Sequence, residues 1–251
     1  MAVTLKEVAK MAGVSRSAVS RTFTTGASVS DKTRKKVEKA ARELGFRPSL
    51  IARSLATKRT KLIGLIANNF QNPIFLEVFD LYTQALQKLG LRPLLVNLTN
   101  ETNLDQSIEM LRQYNVDGVI VATSTLPPYF AKSLKDAQLP VVHVFGRAGI
   151  GTDVHVVGID NFACGQMAAE TLCNHGYRQL AFLGGPETAT TTQDRAAGFV
   201  QYLRDKGMEP ADIRYASAYE YQAGRKAMSD LLQAKTVDAV FCGDDLICMG
   251  A

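Results

Sequence analysis

The chain has 251 residues, of which 46% are hydrophobic and 21% charged, and its formal net charge at pH 7 is +5. No apolar run approaches the ~18 residues that a membrane-spanning helix needs, and the N-terminal sequence MAVTLKEVAK lacks the hydrophobic region of a signal peptide. The composition therefore argues against a helical membrane protein and predicts a globular protein of the cytoplasm.

The four cysteines and three histidines are scattered along the chain. No two cysteines form a CxxC pair, and none of the three histidines lies at metal-ligand spacing from the others. Because a zinc site requires such spacings, we predict no metal and no cofactor.

The charge is divided unevenly at about residue 61. Residues 1–61 contain 15 Lys/Arg and 4 Asp/Glu, a net charge of +11, whereas residues 62–251 contain 14 Lys/Arg and 20 Asp/Glu, a net charge of −6. Basic side chains that neutralise DNA phosphates release condensed counterions, so a small basic head favours binding to nucleic acid. A solvated charged face gives the same composition, and the pattern within the head is needed to choose between the two.

The head has the pattern of three short helices. Thr4 and Ser15 are suitable N-cap residues for the first two, and Gly13 ends the first. Two helices joined by a short glycine-containing turn are typical of a helix-turn-helix motif. A third helix begins after Ser30, and its basic residues are expected on a solvated outer face, with some contacting phosphate. These are Lys32, Arg34, Lys35, Lys36 and Lys39.

The second helix carries polar residues in its first turn. Arg16 and Ser17 are predicted to point outward, whereas Val19 and its apolar neighbours point inward. This geometry brings the first turn to base edges in the major groove of DNA. Arg21, one turn later, can reach a base edge or a phosphate.

These segments resemble the N-terminus of the LacI/GalR family of bacterial transcription regulators. The resemblance lies in TLKEVAKMAGVSRSAVSR, in VSDKTRKKV, in the LGFRP exit and in the ARSL segment, and it continues through the rest of the chain. One departure is Ala18, where many members have Thr. The resemblance implies a homodimeric regulator on a pseudo-palindromic double-stranded DNA operator, with Arg16 and Ser17 reading bases. The implied DNA-binding residues are Thr4, Ser15, Arg16, Ser17, Ser20, Arg21, Ala52, Arg53 and Leu55.

Residues 49–55 form a segment that is too short to be a stable helix alone. We therefore expect it to become helical only when DNA or a partner chain holds it. In the family, this hinge helix pairs with its dimer mate in the minor groove, where an apolar residue enters between base pairs beside a basic one. Leu55 and Arg53 supply those two residue types. Considered without the resemblance, the segment favours a linker helix packed on the body.

From residue 62 onward, apolar runs typical of strands alternate with amphipathic helical stretches. Such alternation indicates parallel sheets with helices on both faces. The predicted strands are 62–67, 93–98, 118–122, 141–145, 180–185 and 239–243. The predicted helices are 74–89, 103–115, 127–137, 161–175, 193–207 and 222–234.

The predicted fold class is an all-α helix-turn-helix head followed by an α/β body. The resemblance implies that the body is two doubly wound parallel-sheet subdomains, like those of periplasmic binding proteins, with a ligand cleft between them. Because family members continue well past the helix that follows AVFCGDD, it also implies a second subdomain that is incomplete at Ala251. Such a chain is expected to be less stable than a full-length relative and to bind an effector weakly or not at all. A head that still binds DNA without responding to a ligand is a further alternative. The predicted parts are a helix-turn-helix domain at 1–47, a hinge and linker at 48–61, an N-terminal effector-binding subdomain at 62–158 and a C-terminal one at 159–251.

Ligands of such sheets bind beyond the carboxyl ends of the strands. Loops at these ends contain an aromatic face at Phe75, a cation at Arg195 that can hold a hydroxyl or carboxylate, and carboxylates at Asp160 and Asp244 suited to paired sugar hydroxyls. By resemblance, these four lie at effector-contact positions. Alternatively, Asp160 caps the following helix and Arg195 forms a surface ion pair. The full set of candidate effector-binding residues is Asn72, Phe75, Asp160, Thr191, Arg195, Tyr219 and Asp244.

The resemblance favours a sugar or sugar derivative as the effector, which acts either as inducer or as co-repressor. The NPIF and VFCGDD segments are also similar to those of the purine-responsive member of the family, so a purine is the alternative. A solute-binding protein is a rival, against which the basic head and the lack of a signal sequence argue. An enzyme is not predicted, because the chain has no GxGxxG after the first strand, no GxxxxGK[ST] and no GxSxG motif.

Overall fold

The computed structural model describes residues 3–24, 26–49, 54, 57–68, 70, 72–98, 104–123, 125, 128–147 and 154–251. Residue contacts divide the chain into two compact units, Met1–Thr60 and Lys61–Ala251. The smaller unit is helical and the larger one is α/β. In the described part of the chain, no helix combines the length and apolarity needed to cross a bilayer.

The smaller unit contains the three helices that the sequence predicts. Val8, Val19 and Val37, one from each helix, are completely buried in a common core. The predicted N-caps are confirmed, because the Thr4 side chain accepts a hydrogen bond from the Glu7 N–H and the side chains of Ser15 and Ser30 cap the next two helices. The helices are α1 (Leu5–Ala12), α2 (Arg16–Thr22) and α3 (Asp31–Leu44).

The larger unit alternates strands and helices. The strands are β1 (Leu62–Ala67), β2 (Arg92–Asn97), β3 (Gly118–Ala122), β4 (Val141–Val144), β5 (His155–Val157), β6 (Leu180–Gly184), β7 (Asp212–Tyr215) and β8 (Ala239–Cys242). The helices are α4 (Pro73–Lys88), α5 (Leu104–Gln113), α6 (Pro128–Asp136), α7 (Asn161–Asn174), α8 (Thr190–Asp205), α9 (Tyr221–Ala234) and α10 (Asp245–Gly250).

The strands form two parallel sheets, the first with strand order β2-β1-β3-β4-β5 and the second with order β7-β6-β8. Successive side chains of a strand point to opposite faces of the sheet. In β1, Leu65 packs in the cluster that includes Phe79 of α4, and Ile66 packs in the cluster that includes Leu111 of α5 and Phe130 of α6. The predicted doubly wound architecture is therefore confirmed.

The second sheet is also covered on both faces. Phe182 of β6 packs in one cluster with Phe199 of α8, and the next residue, Leu183, packs in another with Ala227 of α9 and Ile247 of α10. All five of these side chains are at most 8% exposed. A sheet buried on both sides needs strands that are apolar throughout, and the sequence of β6, LAFLG, has no polar residue.

Helices α7 and α8 approach each other more closely than side chains allow. A Cβ atom on Gly198 would lie 2.0 Å from the Phe162 carbonyl oxygen, and one on Gly165 would lie 2.1 Å from the Arg195 carbonyl oxygen. Such distances leave room for glycine alone, so the two helices meet through their backbones. This contact fixes the position of the first turns of α8.

The two sheets repeat one local arrangement where their central strands begin. Asp117, just before β3, accepts a hydrogen bond from the Lys61 N–H ahead of β1 at 3.0 Å. Asp238, just before β8, accepts bonds from the N–H groups of Arg178 and Gln179 ahead of β6 at 2.9 and 2.8 Å. These backbone hydrogen bonds lower the pKa of Asp238. Each carboxylate thus holds together the starts of two neighbouring strands.

The largest differences from the sequence prediction are in three elements, while the bounds of the others differ by at most two residues at either end. Strands β5 and β7 were not predicted, because β5 has only three residues, all exposed, and β7 begins with a charged Asp212 and contains Arg214. Both are edge strands, and unlike the edge strands β2 and β8 they have no apolar run long enough to predict a strand. Helix α8 begins at Thr190 instead of residue 193, since its N-cap, Ala189, gives no side-chain capping signal.

His143 of β4 is a buried titratable group in the first sheet. It is 7% exposed, and its Nδ1 has no hydrogen-bond partner among the described residues. Burial lowers the pKa of His143 below its ordinary value of 6.5, although a backbone hydrogen bond with Gly146 acts in the opposite direction. Protonation therefore favours the unfolded chain. The neutral His143 side chain therefore contributes fully to the free energy of unfolding above pH 6.5. This contribution is lost as the pH falls through the pKa that His143 has in the folded chain.

We expect His143→Leu to reduce the loss of stability between pH 8 and pH 5. The measurement is urea unfolding of both proteins at each pH, and the relevant quantity is the difference between the two free energies of unfolding. His155→Gln, at an exposed position of β5, is the control and should leave that difference unchanged. A His143→Leu protein with the same pH dependence as the unaltered chain would contradict the expectation.

Candidate functional site

A cleft of about 210 Å³ opens beyond the carboxyl ends of the strands of both sheets. This is the position where open α/β sheets bind ligands. The cleft is smaller than the about 300–1,000 Å³ of pockets that take drug-sized ligands, so it suits a single small molecule. Its lining residues are Asn68, Asn72, Ile74, Phe75, Val78, Thr123, Thr125, Phe145, Thr191, Arg195, Tyr219, Gly243, Asp244 and Asp245.

Aromatic side chains form one wall of the cleft. The Phe75 ring lies 5.5 Å from Phe145 in an edge-to-face arrangement and 5.8 Å from Phe79, measured between ring centroids. Phe145 has a φ of 74°, an uncommon backbone conformation for a bulky residue that is often found at binding sites. This wall offers an apolar face to a flat ligand.

Arg195 is the cation of the cleft. It lies in the second turn of α8 and is half-buried. Its Nε donates to Asn161 Oδ1 at 2.9 Å, and its Nη1 donates to the Gly243 carbonyl at 2.6 Å. These two bonds fix the plane of the guanidinium and leave Nη2 for a ligand. Among the ion pairs of the described residues, none involves Arg195, so the predicted alternative of a surface ion pair is not found.

Asp244 faces the same cleft from the end of β8. Its Oδ1 accepts hydrogen bonds from the N–H groups of Leu246 at 2.9 Å and Ile247 at 3.4 Å, and its Oδ2 accepts from Asn72 Nδ2 at 3.2 Å. Burial raises the pKa of the Asp244 carboxyl and the charge of Asp245 adds to this effect, while the three hydrogen bonds act in the opposite direction. A partly desolvated carboxylate of this kind gains from hydroxyl donors.

Hydroxyl groups complete the polar lining on both sides of the cleft. The Tyr219 hydroxyl lies 3.4 Å from Thr191 Oγ1 and 3.2 Å from Thr192 Oγ1. On the side of the first sheet, Asn68 Nδ2 donates to Thr125 Oγ1. These groups both donate and accept hydrogen bonds, as a polyhydroxylated or heterocyclic ligand requires. Within the described residues, no group of three or more His, Cys, Asp or Glu could hold a metal ion.

Polar side chains also join the two sheets across the cleft. Arg147, after β4, donates from Nε to both carboxylate oxygens of Asp194 in α8, at 2.9 and 3.0 Å, and from Nη2 to Gln193 at 3.1 Å. Asn161 donates to the Phe145 carbonyl at 3.0 Å. Together with the Asn72–Asp244 bond, these contacts connect elements of the first sheet to α7, α8 and β8. We call them the cross-cleft bonds.

Six of the seven predicted effector-binding residues line the cleft, and Asp160 does not. Asp160 is exposed and its carboxylate accepts a hydrogen bond from the Ala163 N–H at 2.9 Å, which makes it the N-cap of α7. This is the capping role that the sequence left open as the alternative. The six others remain predictions as effector contacts: Asn72, Phe75, Thr191, Arg195, Tyr219 and Asp244.

Sequence reasoning missed part of the lining. Thr123, Thr125 and Phe145 follow β3 and β4 directly, so the strand-end rule selects their loops but does not select side chains within a loop. The role of Asn161 in holding Arg195 had no signal in the sequence, because the two residues are 34 positions apart.

The predicted DNA-binding residues of the head lie around α2. Arg16, Ser17, Ser20 and Arg21 are exposed, and Ser15 Oγ lies 2.9 Å from Ser17 Oγ. No hydrogen bond or ion pair of the described residues uses the Arg16 guanidinium. Thr4 is engaged in the capping box of α1. Ala52, Arg53 and Leu55, and with them most of the predicted hinge segment 49–55, lie outside the described residues.

A helix-turn-helix head followed by a two-sheet body with a strand-end cleft defines a class of protein, the regulators that join a DNA-binding unit to a ligand-binding unit. Residues 4–49 match the bacterial regulatory proteins of the lacI family, and residues 60–251 match the periplasmic binding proteins and sugar binding domain of the LacI family. The chain belongs to the LacI family and is a DNA-binding transcriptional regulator with an effector-binding body.

Named relatives agree with this assignment. The chain is 36% identical to the HTH-type transcriptional repressor PurR of Proteus mirabilis (strain HI4320), over 99% of this chain and 74% of the relative. It is 30% identical to the ribose operon repressor of Lactococcus lactis subsp. lactis (strain IL1403), over 98% and 73%. Its structure is similar to that of the lac repressor dimer bound to operator and the anti-inducer ONPF. The TM-score is 0.86 and the identity 25%, over 100% of this chain and 76% of that one.

Proposed function

We propose that this chain is a repressor that binds a pseudo-palindromic operator as a homodimer and responds to a small effector held in the cleft. The observation that carries the DNA-binding part is the exposed first turn of α2, with Arg16 and Ser17 at the start of the second helix of a helix-turn-helix unit. We call α2 the recognition helix. Two recognition helices of a dimer fit successive major grooves, which requires a two-fold operator.

We propose a sugar or sugar derivative as the effector. The support is the combination of a fixed guanidinium at Arg195, a partly desolvated carboxylate at Asp244 and an aromatic face at Phe75. Carboxylate and guanidinium groups pair with adjacent hydroxyls, and the apolar face of a sugar ring packs on aromatic side chains. The ribose operon repressor among the relatives agrees with this class.

A purine is the second candidate. The relative with 36% identity is the transcriptional repressor PurR, and this similarity supports a purine, a flat heterocycle, as the ligand of the cleft. The edge-to-face pair of Phe75 and Phe145 would pack against such a ring. Melting of the chain in the presence of ribose, glucose, galactose, hypoxanthine and guanine separates the two classes, because a bound ligand raises the melting temperature.

We further propose that the protein acts in the cytoplasm as a regulator without enzymatic activity, since the named relatives are transcriptional repressors. The proposed parts are the DNA-binding domain at 1–47, the hinge at 48–61 and effector-binding subdomains at 62–158 and 159–251. The last boundary is supported by its position between β5, which ends at Val157, and α7, which begins at Asn161.

The experiment that tests the DNA-binding proposal is selection of duplexes from a random pool by the full 251-residue chain, at moderate and at high salt. We expect enrichment of a pseudo-palindrome that is lost at high salt, because phosphate contacts weaken as salt rises. Enrichment of a single, non-repeated half-site would contradict the dimeric arrangement, and recovery of unselected sequences would contradict specific recognition.

Arg16→Ala should lower affinity for the selected duplex by about 10–100-fold, the range for one side chain that pairs with a base edge. Affinity for a mixed-sequence duplex of the same length should change far less. Fluorescence anisotropy with both duplexes measures the two affinities. Lys35→Met, at an exposed basic position of α3, is the control and should weaken both by the same factor. Equal losses on the two duplexes for Arg16→Ala would show that Arg16 does not read bases.

A further inference from the structure

The recognition helix ends differently from the other two helices of the head. Both α1 and α3 end at a glycine in the left-handed region, Gly13 with φ 65° and Gly45 with φ 68°, whose N–H groups return to carbonyls of the last turn. The recognition helix ends at Phe23, with φ −96° and ψ 6°, whose N–H reaches the Arg21 carbonyl. It therefore lacks the left-handed turn that usually satisfies the last carbonyls of a helix.

Side chains take the place of that turn. Thr22 Oγ1 donates to the Ala18 carbonyl and Thr24 Oγ1 donates to the Ser20 carbonyl, both at 2.9 Å. The Thr22 carbonyl itself accepts from Arg34 Nη1 at 3.1 Å, in a partly buried bond between positions 12 residues apart. Arg34 belongs to α3. Of these three bonds, only the one from Arg34 joins the end of the recognition helix to another helix.

Arg34 differs from the other basic residues of α3. Its side chain is half-buried against the recognition helix, contrary to the expectation that this basic run forms a solvated face. The remaining basic residues of α3 are exposed, as that expectation requires: Lys32, Lys35, Lys36, Lys39 and Arg42. A phosphate-binding role for Arg34 would leave its guanidinium directed at solvent, so its burial indicates another role.

The recognition helix depends on such support. It has seven residues, and a helix this short is not stable by itself. Val19 buries one side of it completely in the core of the head. A cation at a helix C-terminus interacts favourably with the partial charge of the last carbonyls, and a guanidinium holds a direction that an ammonium does not.

We propose that Arg34 is a positioning residue that fixes the direction of the recognition helix and so determines how sharply Arg16 and Ser17 discriminate between bases. The inference rests on the proposed reading of bases by this helix. Without the Arg34 bond, Val19 and the contact of Phe23 with Phe46, 5.7 Å between ring centroids, still hold the helix in the core. No hydrogen bond from α3 then fixes the direction of its last turn. Tilting moves the first turn relative to the base edges while it leaves the phosphate-binding residues of α3 in place.

The test is Arg34→Lys in the full chain, which keeps the charge and removes the planar guanidinium. We expect affinity for the selected duplex to fall by about tenfold, the effect of losing one charge-assisted hydrogen bond. Affinity for the mixed-sequence duplex should stay within about twofold, and the salt dependence should be unchanged, because the charge count is the same. Amide hydrogen exchange should become faster in the last turn of α2 and remain unchanged in α1 and α3.

Lys35→Met is the matched control. It removes a neighbouring exposed charge and should weaken binding to both duplexes equally. It should also reduce by about one the slope of log affinity against log salt concentration. The proposal is overturned if Arg34→Lys binds the selected duplex within about twofold of the unaltered chain, or if it weakens both duplexes equally with a shallower salt slope. Faster exchange in all three helices would overturn it too, by showing a role in the fold of the head. Arg16→Ala and Ser17→Ala together separate the two proposals, since a double variant that keeps its preference for the selected duplex rejects base reading by these residues of α2.

Discussion

Replacing Gly198 by alanine is expected to lower the melting temperature of the body by roughly 10 °C. The new Cβ atom would lie 2.0 Å from the Phe162 carbonyl oxygen and 2.8 Å from its carbon, so α7 and α8 must move apart. Alanine gains about 1 kcal/mol of helix propensity over glycine. Overpacking against a backbone atom, which cannot rotate away, costs more, and we expect a net loss of about 2–4 kcal/mol.

Thermal unfolding followed by circular dichroism measures this effect. Ala197→Ser, at the exposed neighbouring position of α8, adds one heavy atom without meeting α7 and should melt within about 2 °C of the unaltered chain. Gly165→Ala, on the facing helix, should be as destabilising as Gly198→Ala. The double variant should lose less than the sum, because helices already separated have room for a second methyl group. Fully additive losses, or an unchanged melt for Gly198→Ala, would refute the backbone contact.

Replacing Arg195 by methionine is expected to weaken effector binding by about 100-fold, the loss typical of removing one partner of a buried, charge-assisted contact. Two hydrogen bonds orient the guanidinium, from Asn161 and from the Gly243 carbonyl. Arg195→Lys should weaken effector binding almost as much, since an ammonium cannot donate to both of these acceptors and to a ligand in one plane. Binding to the selected duplex should persist, because the head is a separate unit.

The ligand-induced rise in melting temperature, for the compound that stabilises the unaltered chain, measures this loss. Arg204→Met is the control on the same helix, where the arginine is exposed and pairs with Glu209 at 3.2 Å. It should leave the ligand response unchanged. If Arg195→Met showed the full ligand-induced rise in melting temperature, Arg195 would not be an effector-binding residue. Loss of duplex binding in the same variant would show that the substitution acts beyond the cleft.

The parts of the fold that the sequence predicted are those with a strong local pattern. β1, β3 and β6 are continuous apolar runs, and α3 carries both a serine N-cap and a glycine at its end. β5 and β7 lack such a pattern, because β5 has only three residues, all exposed, and β7 contains Asp212 and Arg214. Their pairing with β4 and β6 depends on tertiary contacts that a local pattern does not contain.

The cleft was predictable in position and less so in its residues. The strand-end rule selected the loops that carry Phe75, Arg195 and Asp244, since parallel strands bring those loops together. It could not distinguish Asp244, which caps a helix and also faces the cleft, from Asp160, which caps a helix and faces solvent. Both have the same local pattern, and the difference arises from the direction of the chain after each strand.

The cross-cleft bonds have a consequence for how the body can move. Within each sheet, the strands are held by backbone ladders, whereas Arg147–Asp194, Asn161–Phe145 and Asn72–Asp244 are single side-chain bonds. Arg147 is exposed, so water can replace its bond at a net change of only about 0.5–1.5 kcal/mol. Asn72 and Asn161 are 2% and 6% exposed, and a buried partner left unpaired costs about 1–3 kcal/mol. The orientation of one sheet relative to the other therefore depends in part on a few side-chain bonds, two of which are shielded from water. A ligand that contacts both sides of the cleft adds its own bonds to these, so its binding free energy depends on how the two sheets are oriented.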